Sequence, residues 1–117
     1  MADDAAEIDG PLPRRPFGAT GLAVPPLAVG CAPLANMPET FGYGVDEERA
    51  RATVRAALAG PFPYLDTAAS YGDGASERRI GLVLRELGGL PVGAILQTKI
   101  GAGPGSDFRG ETVRRRF

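Results

Sequence analysis

Three short apolar runs, at residues 27–32, 62–66 and 91–99, alternate with two segments of helical period at 47–58 and 76–87, and a third such segment opens at 111. This alternation constrains the chain more than any other feature. A strand followed by an amphipathic helix buries both apolar faces by laying the helix back across a sheet, and strands joined by such crossovers run parallel. Two architectures satisfy the pattern: an open doubly wound sheet and a closed (β/α)8 barrel, each with its reactive groups at the C-terminal strand ends. Asp66 and Lys99 stand at such ends, which directs the expectation to the barrel. The fold class is α/β, with about three βα units behind an N-terminal hairpin.

Residues 1–15 carry Asp3, Asp4, Glu7 and Asp9, then Pro11 and Pro13, with no apolar period, and are expected to form a disordered leader. The domain proper is expected to cover 16–117. Residues 17–24 hold apolar positions on either side of Gly18-x-x-Gly21, a hairpin pattern. The run at 27–32 reads as the first barrel strand, with Gly30 allowing close approach near its end. Residues 33–44, with two prolines, two glycines and Asn36, read as a long loop.

Asp46 caps a helix whose Ala50, Val54, Ala57 and Leu58 share one face, and Gly60-Pro61 stops it. Ser76 is the expected cap of the next helix, with Ile80, Leu84 and Leu87 as its stripe and Gly88-Gly89 as its stop. The last segment places Val113 and Phe117 four apart on one face. It ends without glycine, proline or cap, which reads as a truncation inside a periodic segment.

A net charge of -1 and a pI near 5.4 speak against a nucleic-acid or anionic-membrane surface, and Arg114-Arg115-Arg116 is expected to be a solvated helix face. No apolar run is long enough to span a membrane, and the acidic N-terminus is unlike a signal peptide, so a cytoplasmic protein is expected. The single cysteine, Cys31, excludes an internal disulfide, and the lack of histidine excludes Ser-His-Asp and Cys-His chemistry and the usual zinc sites within this chain. No metal site is expected. The Gly-x-Gly at 101–103 could cradle phosphate, but Pro104 removes one amide donor.

The stretch Tyr64-Leu65-Asp66-Thr67-Ala68-Ala69-Ser70-Tyr71 ends an apolar run on a carboxylate, sets a tyrosine five residues later, and passes into a glycine-rich loop. Lys99, the only lysine, ends the following run. One site could therefore gather Asp66, Tyr71 and Lys99. Each alone has a plainer reading: Asp66 as a turn cap, Tyr71 as a rim aromatic, Lys99 as a solvated end.

Taken in order, the hairpin at 17–24, Val29-Gly30-Cys31-Ala32-Pro33-Leu34, the block Leu65-Asp66-Thr67-Ala68-Ala69-Ser70-Tyr71-Gly72-Asp73-Gly74-Ala75-Ser76-Glu77, and Gln97-Thr98-Lys99-Ile100-Gly101 resemble the N-terminal part of an aldo-keto reductase. Within that family the pattern is most similar to the sugar dehydrogenases acting on fucose, galactose or threo-aldoses. The resemblance implies a (β/α)8 TIM barrel, NADP or NAD as cofactor, a small carbonyl or sugar substrate, and hydride transfer. Oligomeric state is left open. The resemblance also implies a tetrad of which Asp66, Tyr71 and Lys99 are three members, with a histidine at the end of the next strand, beyond Phe117.

In those roles Tyr71 meets the carbonyl oxygen as general acid, or as base in the oxidising direction. A free phenol has a pKa near ~10, and an adjacent ammonium favours the phenolate. Lys99 would supply that ammonium, and Asp66 would keep it charged. Gly30 and Cys31, with Asp66, would line the cofactor side, while Cys31 by its type reads as a small buried hydrophobe. The alternative is an inactive fragment that binds cofactor weakly, or a partner through an uncovered sheet edge.

Overall fold

The computed structural model describes residues 10–102 and 105–117. The first nine residues of the expected leader, and Gly103 and Pro104 of the expected phosphate loop, lie outside the described residues. Anchoring begins within the segment expected to be mobile. The Leu12 N–H donates to Pro61 O at 2.9 Å, and the Arg14 guanidinium donates to Ala23 O at 3.1 Å and also to Gly93 O.

The hairpin forms, with its strands at the outer margin of the expected segment. β1 (Arg15–Pro16) pairs antiparallel with β2 (Ala23–Val24), and the turn closes through Phe17 N–H to Leu22 O at 2.8 Å. Three further strands make a separate parallel sheet in the order β3 (Val29–Gly30), β4 (Tyr64–Asp66), β5 (Ile95–Gln97). Gly30 pairs with Asp66 and Asp66 with Gln97, so one row crosses all three strands at their C-terminal ends.

The segment expected as a plain loop after β3 instead contains a 3-10 turn at Ala32–Ala35 and a one-turn helix, α1 (Pro38–Phe41). Each has a proline at its start, where the missing N–H costs no hydrogen bond. Each ends on a left-handed residue, Asn36 at φ 60° and Gly42 at φ 76°.

α2 (Glu47–Ala59) has the expected cap, since the Asp46 carboxylate accepts from Arg49 N–H at 2.7 Å. α3 (Ala75–Leu87) differs from expectation at its start, where Gly74 and not Ser76 is the N-cap. Its stop is as expected: Gly88 is left-handed, and Gly88 and Gly89 donate back to Arg85 O and Leu84 O. α4 (Gly110–Arg116) follows a turn in which Asp107 accepts from Arg109 and from the Thr112 hydroxyl.

Leu65, central in β4, is packed by Ala50 and Val54 of α2 and by Ile80 and Val83 of α3, with Cys31, Leu34 and Val45 closing the cluster. Full burial of an aliphatic side chain contributes roughly 1.5–3 kcal/mol each as an upper bound. The stripe of α3 is therefore Ile80, Val83 and Leu84, whereas the expected Leu87 is half exposed. Phe117 is likewise exposed, and Thr112 is the buried side chain of α4.

Both helices meet Leu65 from the same side of the sheet. Right-handed crossovers between neighbouring strands taken in consecutive order lay every helix on one face, in a barrel wall as in either half of a doubly wound sheet. The row of Gly30, Asp66 and Gln97 lies on the face turned away from the helices.

Candidate active site

The ladder that ends β4 continues beyond the regular strands. Cys31 N–H donates to Asp66 O at 2.9 Å, Thr67 N–H to Gln97 O at 2.8 Å, and Ala69 N–H to Lys99 O at 3.1 Å. These bonds carry the strand-end residues at a set register, and the period of two puts Asp66, Gln97 and Lys99 on one face. Lys99 Nζ donates to Asp66 Oδ1 at 2.6 Å, to Thr67 O at 3.1 Å and to the Tyr71 hydroxyl at 3.4 Å, and lies 5.2 Å from the centre of the Tyr71 ring. The three residues singled out from the sequence are thus brought together around one ammonium.

Asp66 first, and Tyr71 after it, hold the Lys99 ammonium above the ordinary lysine range. The pair is open to solvent, with Lys99 and Asp66 side chains 48% and 33% exposed, so it orders the site more than it stabilises the chain. All three ammonium protons are committed. The phenol oxygen accepts from Lys99, which leaves its own proton free to be donated to another group.

Tyr71 owes its position to the loop that follows. Gly72, Asp73 and Gly74 take left-handed conformations in succession, at φ 60°, 52° and 89°, and turn the chain from β4 into α3. Gly72 is needed for space as well: a Cβ there would lie 2.6 Å from Ala35 Cβ and 3.0 Å from Ala35 O.

Gly30 sits on the open face beside Asp66, and a Cβ built on it meets nothing within 4 Å. That leaves open space against the backbone at this strand end. Cys31 is the small buried hydrophobe that its residue type implies, so its side chain does not face the open side. Its side chain is wholly buried in the core on the helix side, its thiol donates to Val29 O, and burial pushes the thiol up to about 11. Alternation along the strand is the reason: if Gly30 faces the open side, Cys31 faces the helices. What Cys31 offers the site is its backbone.

The sequence reading missed the side chains that hold these strand ends. Ser76 donates to Cys31 O at 2.8 Å and meets the Thr67 hydroxyl at 2.8 Å, joining the ends of β3 and β4. Glu77 accepts from the Thr98 hydroxyl at 2.6 Å, joining β5. Tyr64 donates to Gln97 across the same sheet. A signal for Ser76 was available, because it lies four residues before Ile80, at a core position of the α3 stripe, where a polar side chain needs a buried partner.

Among the described residues no cluster of His, Cys, Asp and Glu could hold a metal ion, and no helix is long and apolar enough to cross a membrane.

The chain is 37% identical over 102 residues to L-galactose dehydrogenase of Arabidopsis thaliana, covering 86% of this chain and 31% of that protein. It is 33% identical over 100 residues to pyridoxal 4-dehydrogenase of Microbacterium luteolum, covering 86% and 27%. It thus spans under a third of the curated relatives it matches. Among solved structures, an aldo-keto reductase from Bacillus halodurans in its holo form matches at a TM-score of 0.61 and 33% identity, over 78% of this chain and 26% of that one. The fold is accordingly the N-terminal part of a (β/α)8 barrel. The profile of the Aldo/keto reductase family matches residues 26–117, and because that match runs through all three parallel strands and the helices between them, the chain belongs to the aldo/keto reductase family.

Proposed function

We propose that the chain carries three catalytic groups of an NAD(P)-dependent oxidoreductase that interconverts a small carbonyl compound or aldose with its alcohol or lactone. The observation that supports this reading is the Lys99 ammonium held between the Asp66 carboxylate and the Tyr71 hydroxyl. Both curated relatives are named as dehydrogenases, one of L-galactose and one of pyridoxal, which agrees with a carbonyl–alcohol couple and leaves the substrate class broad.

A bound nicotinamide dinucleotide supplies or accepts the hydride. Tyr71 donates its proton to the carbonyl oxygen as negative charge grows there, and takes it back in the oxidising direction. Lys99 faces the phenol oxygen that becomes negative, and Asp66 keeps Lys99 protonated and aimed. Gly30 leaves the floor of the site open to the planar ring.

The test is Tyr71→Phe in the full protein, assayed over aldoses and aldehydes with both dinucleotides. Turnover is expected to fall on the order of a hundredfold or more, with dinucleotide affinity unchanged. Wild-type turnover by the variant would remove Tyr71 from the mechanism.

A second reading is favoured by one observation: among the described residues β3 and β5 each have one unpaired edge. Residues 1–117 alone would then bind dinucleotide weakly or join a partner through an edge. Titration of this polypeptide with NADPH separates the two, since tight binding with turnover contradicts the second reading.

A further inference from the structure

Arg79 is the one buried charged side chain among the described residues, and the chemistry above does not use it. It projects from the core-facing side of α3, next to Ile80. Its Nη1 donates to Leu34 O at 2.6 Å and to Val45 O at 2.8 Å, while its Nε has no partner among the described residues. These carbonyls lie at the two ends of the loop that follows β3. Asn36 closes the same neck from the other side, since its left-handed backbone turns Oδ1 to accept from Val45 N–H at 2.9 Å. The peptide groups on both sides of Val45 are therefore held by side chains, where a sheet would hold them with a ladder.

The neck also bears on the site. Ala35 adjoins Leu34 and is the surface against which Gly72 packs with no room for a Cβ, and Gly72 is the residue after Tyr71. We propose that Arg79 is a positioning residue for Tyr71: it fixes Leu34 and Ala35, and Ala35 fixes the backbone that presents the phenol to Lys99. The proposal rests on the reading of Tyr71 as the proton donor.

A guanidinium suits this task because its charge is permanent and its donors are rigidly directed, so two converging carbonyls can share one nitrogen. A methionine would fill similar space without the desolvation of a buried ion. What the arginine adds is geometry.

The test follows the ring Cζ resonances of the full protein labelled at tyrosine, with Tyr64 and Tyr71 assigned by their loss in Tyr64→Phe and Tyr71→Phe. Arg79→Met is expected to shift the Tyr71 resonance, Gly72→Ala to shift it too, and Tyr64 to stay in place. With turnover as readout, Arg79→Met is expected to lower kcat about tenfold or more with KM little changed. The double variant is expected to be no worse than the poorer single one, because both act through one contact. An unmoved Tyr71 resonance in Arg79→Met, or additive losses in the double variant, would overturn the proposal.

Should Arg79→Met not fold, Arg79→Lys keeps the charge without the planar fork that fixes where its donors point, and Asn36→Gly opens the neck without touching Arg79; both must then shift Tyr71. The resonance test stands apart from the enzyme reading: a Tyr71→Phe variant with full turnover would remove the proton-donor role and leave the clasp to be judged by the resonances.

Discussion

Lys99 shows how little sequence is needed to set a charge state and how much structure is needed to aim it. A sole lysine at a strand end was legible, as was the carboxylate two registers away. The hydrogen bond from Nζ to Thr67 O was not, because backbone carbonyls leave no mark in a sequence. The folded pKa of Lys99 is raised, chiefly by the Asp66 hydrogen bond. The pair's contribution to stability is therefore complete below the unfolded value near ~10.4 and is lost as pH rises through the higher folded value. Denaturation midpoints followed from about pH 8 to about pH 11 should fall later in the wild type than in Asp66→Asn. Superimposable profiles would show that Asp66 does not hold the lysine charge. Cys31 is the buried small hydrophobe its type implied, and the alternation of the strand turns its side chain away from the face that Gly30 leaves open.

At the scale of elements, local chemistry predicts helices well and their roles unevenly. Asp46 caps α2 as its spacing implied, and Asp46→Ala is expected to cost about 1 kcal/mol, read by urea denaturation. Ser76 had the same credentials as a cap and serves otherwise. Gly72, Asp73 and Gly74 can hold left-handed backbone, so the helix starts earlier and Ser76 is drawn into the core against Thr67 and Cys31 O. Ser76→Ala should cost about 1–3 kcal/mol in the same measurement, because it strands a buried carbonyl. A loss no larger than that of Asp46→Ala would return Ser76 to the role of a cap. The short helices after β3 were read as a loop, because each is too brief for periodicity to reveal.

For the whole molecule, the decisive fact is that α2 and α3 pack on one side of a three-stranded parallel sheet. The outer edges of β3 and β5 are unpaired among the described residues. Leu96 shares the face of Leu65 but is 40% exposed in a groove beside Ile80 and Leu84. An unpaired edge beside exposed apolar surface favours association. The 117-residue polypeptide is expected to sediment as larger species as its concentration rises, and Leu96→Lys to reduce this. A monomer at every concentration would show that the edges are protected.

By itself the sequence determined the α/β alternation, the start and stop of α2, the stop of α3, and the three groups that meet at the strand ends. These are written in periodicity, in Gly, Pro and Asp placement, and in motif order, all of which act over a few residues. Only the tertiary structure decided that the helices share one face, and that Ser76, Glu77 and Arg79 of one helical turn secure three strand ends and a loop. Those outcomes depend on which surfaces meet across tens of residues, and burial decides them.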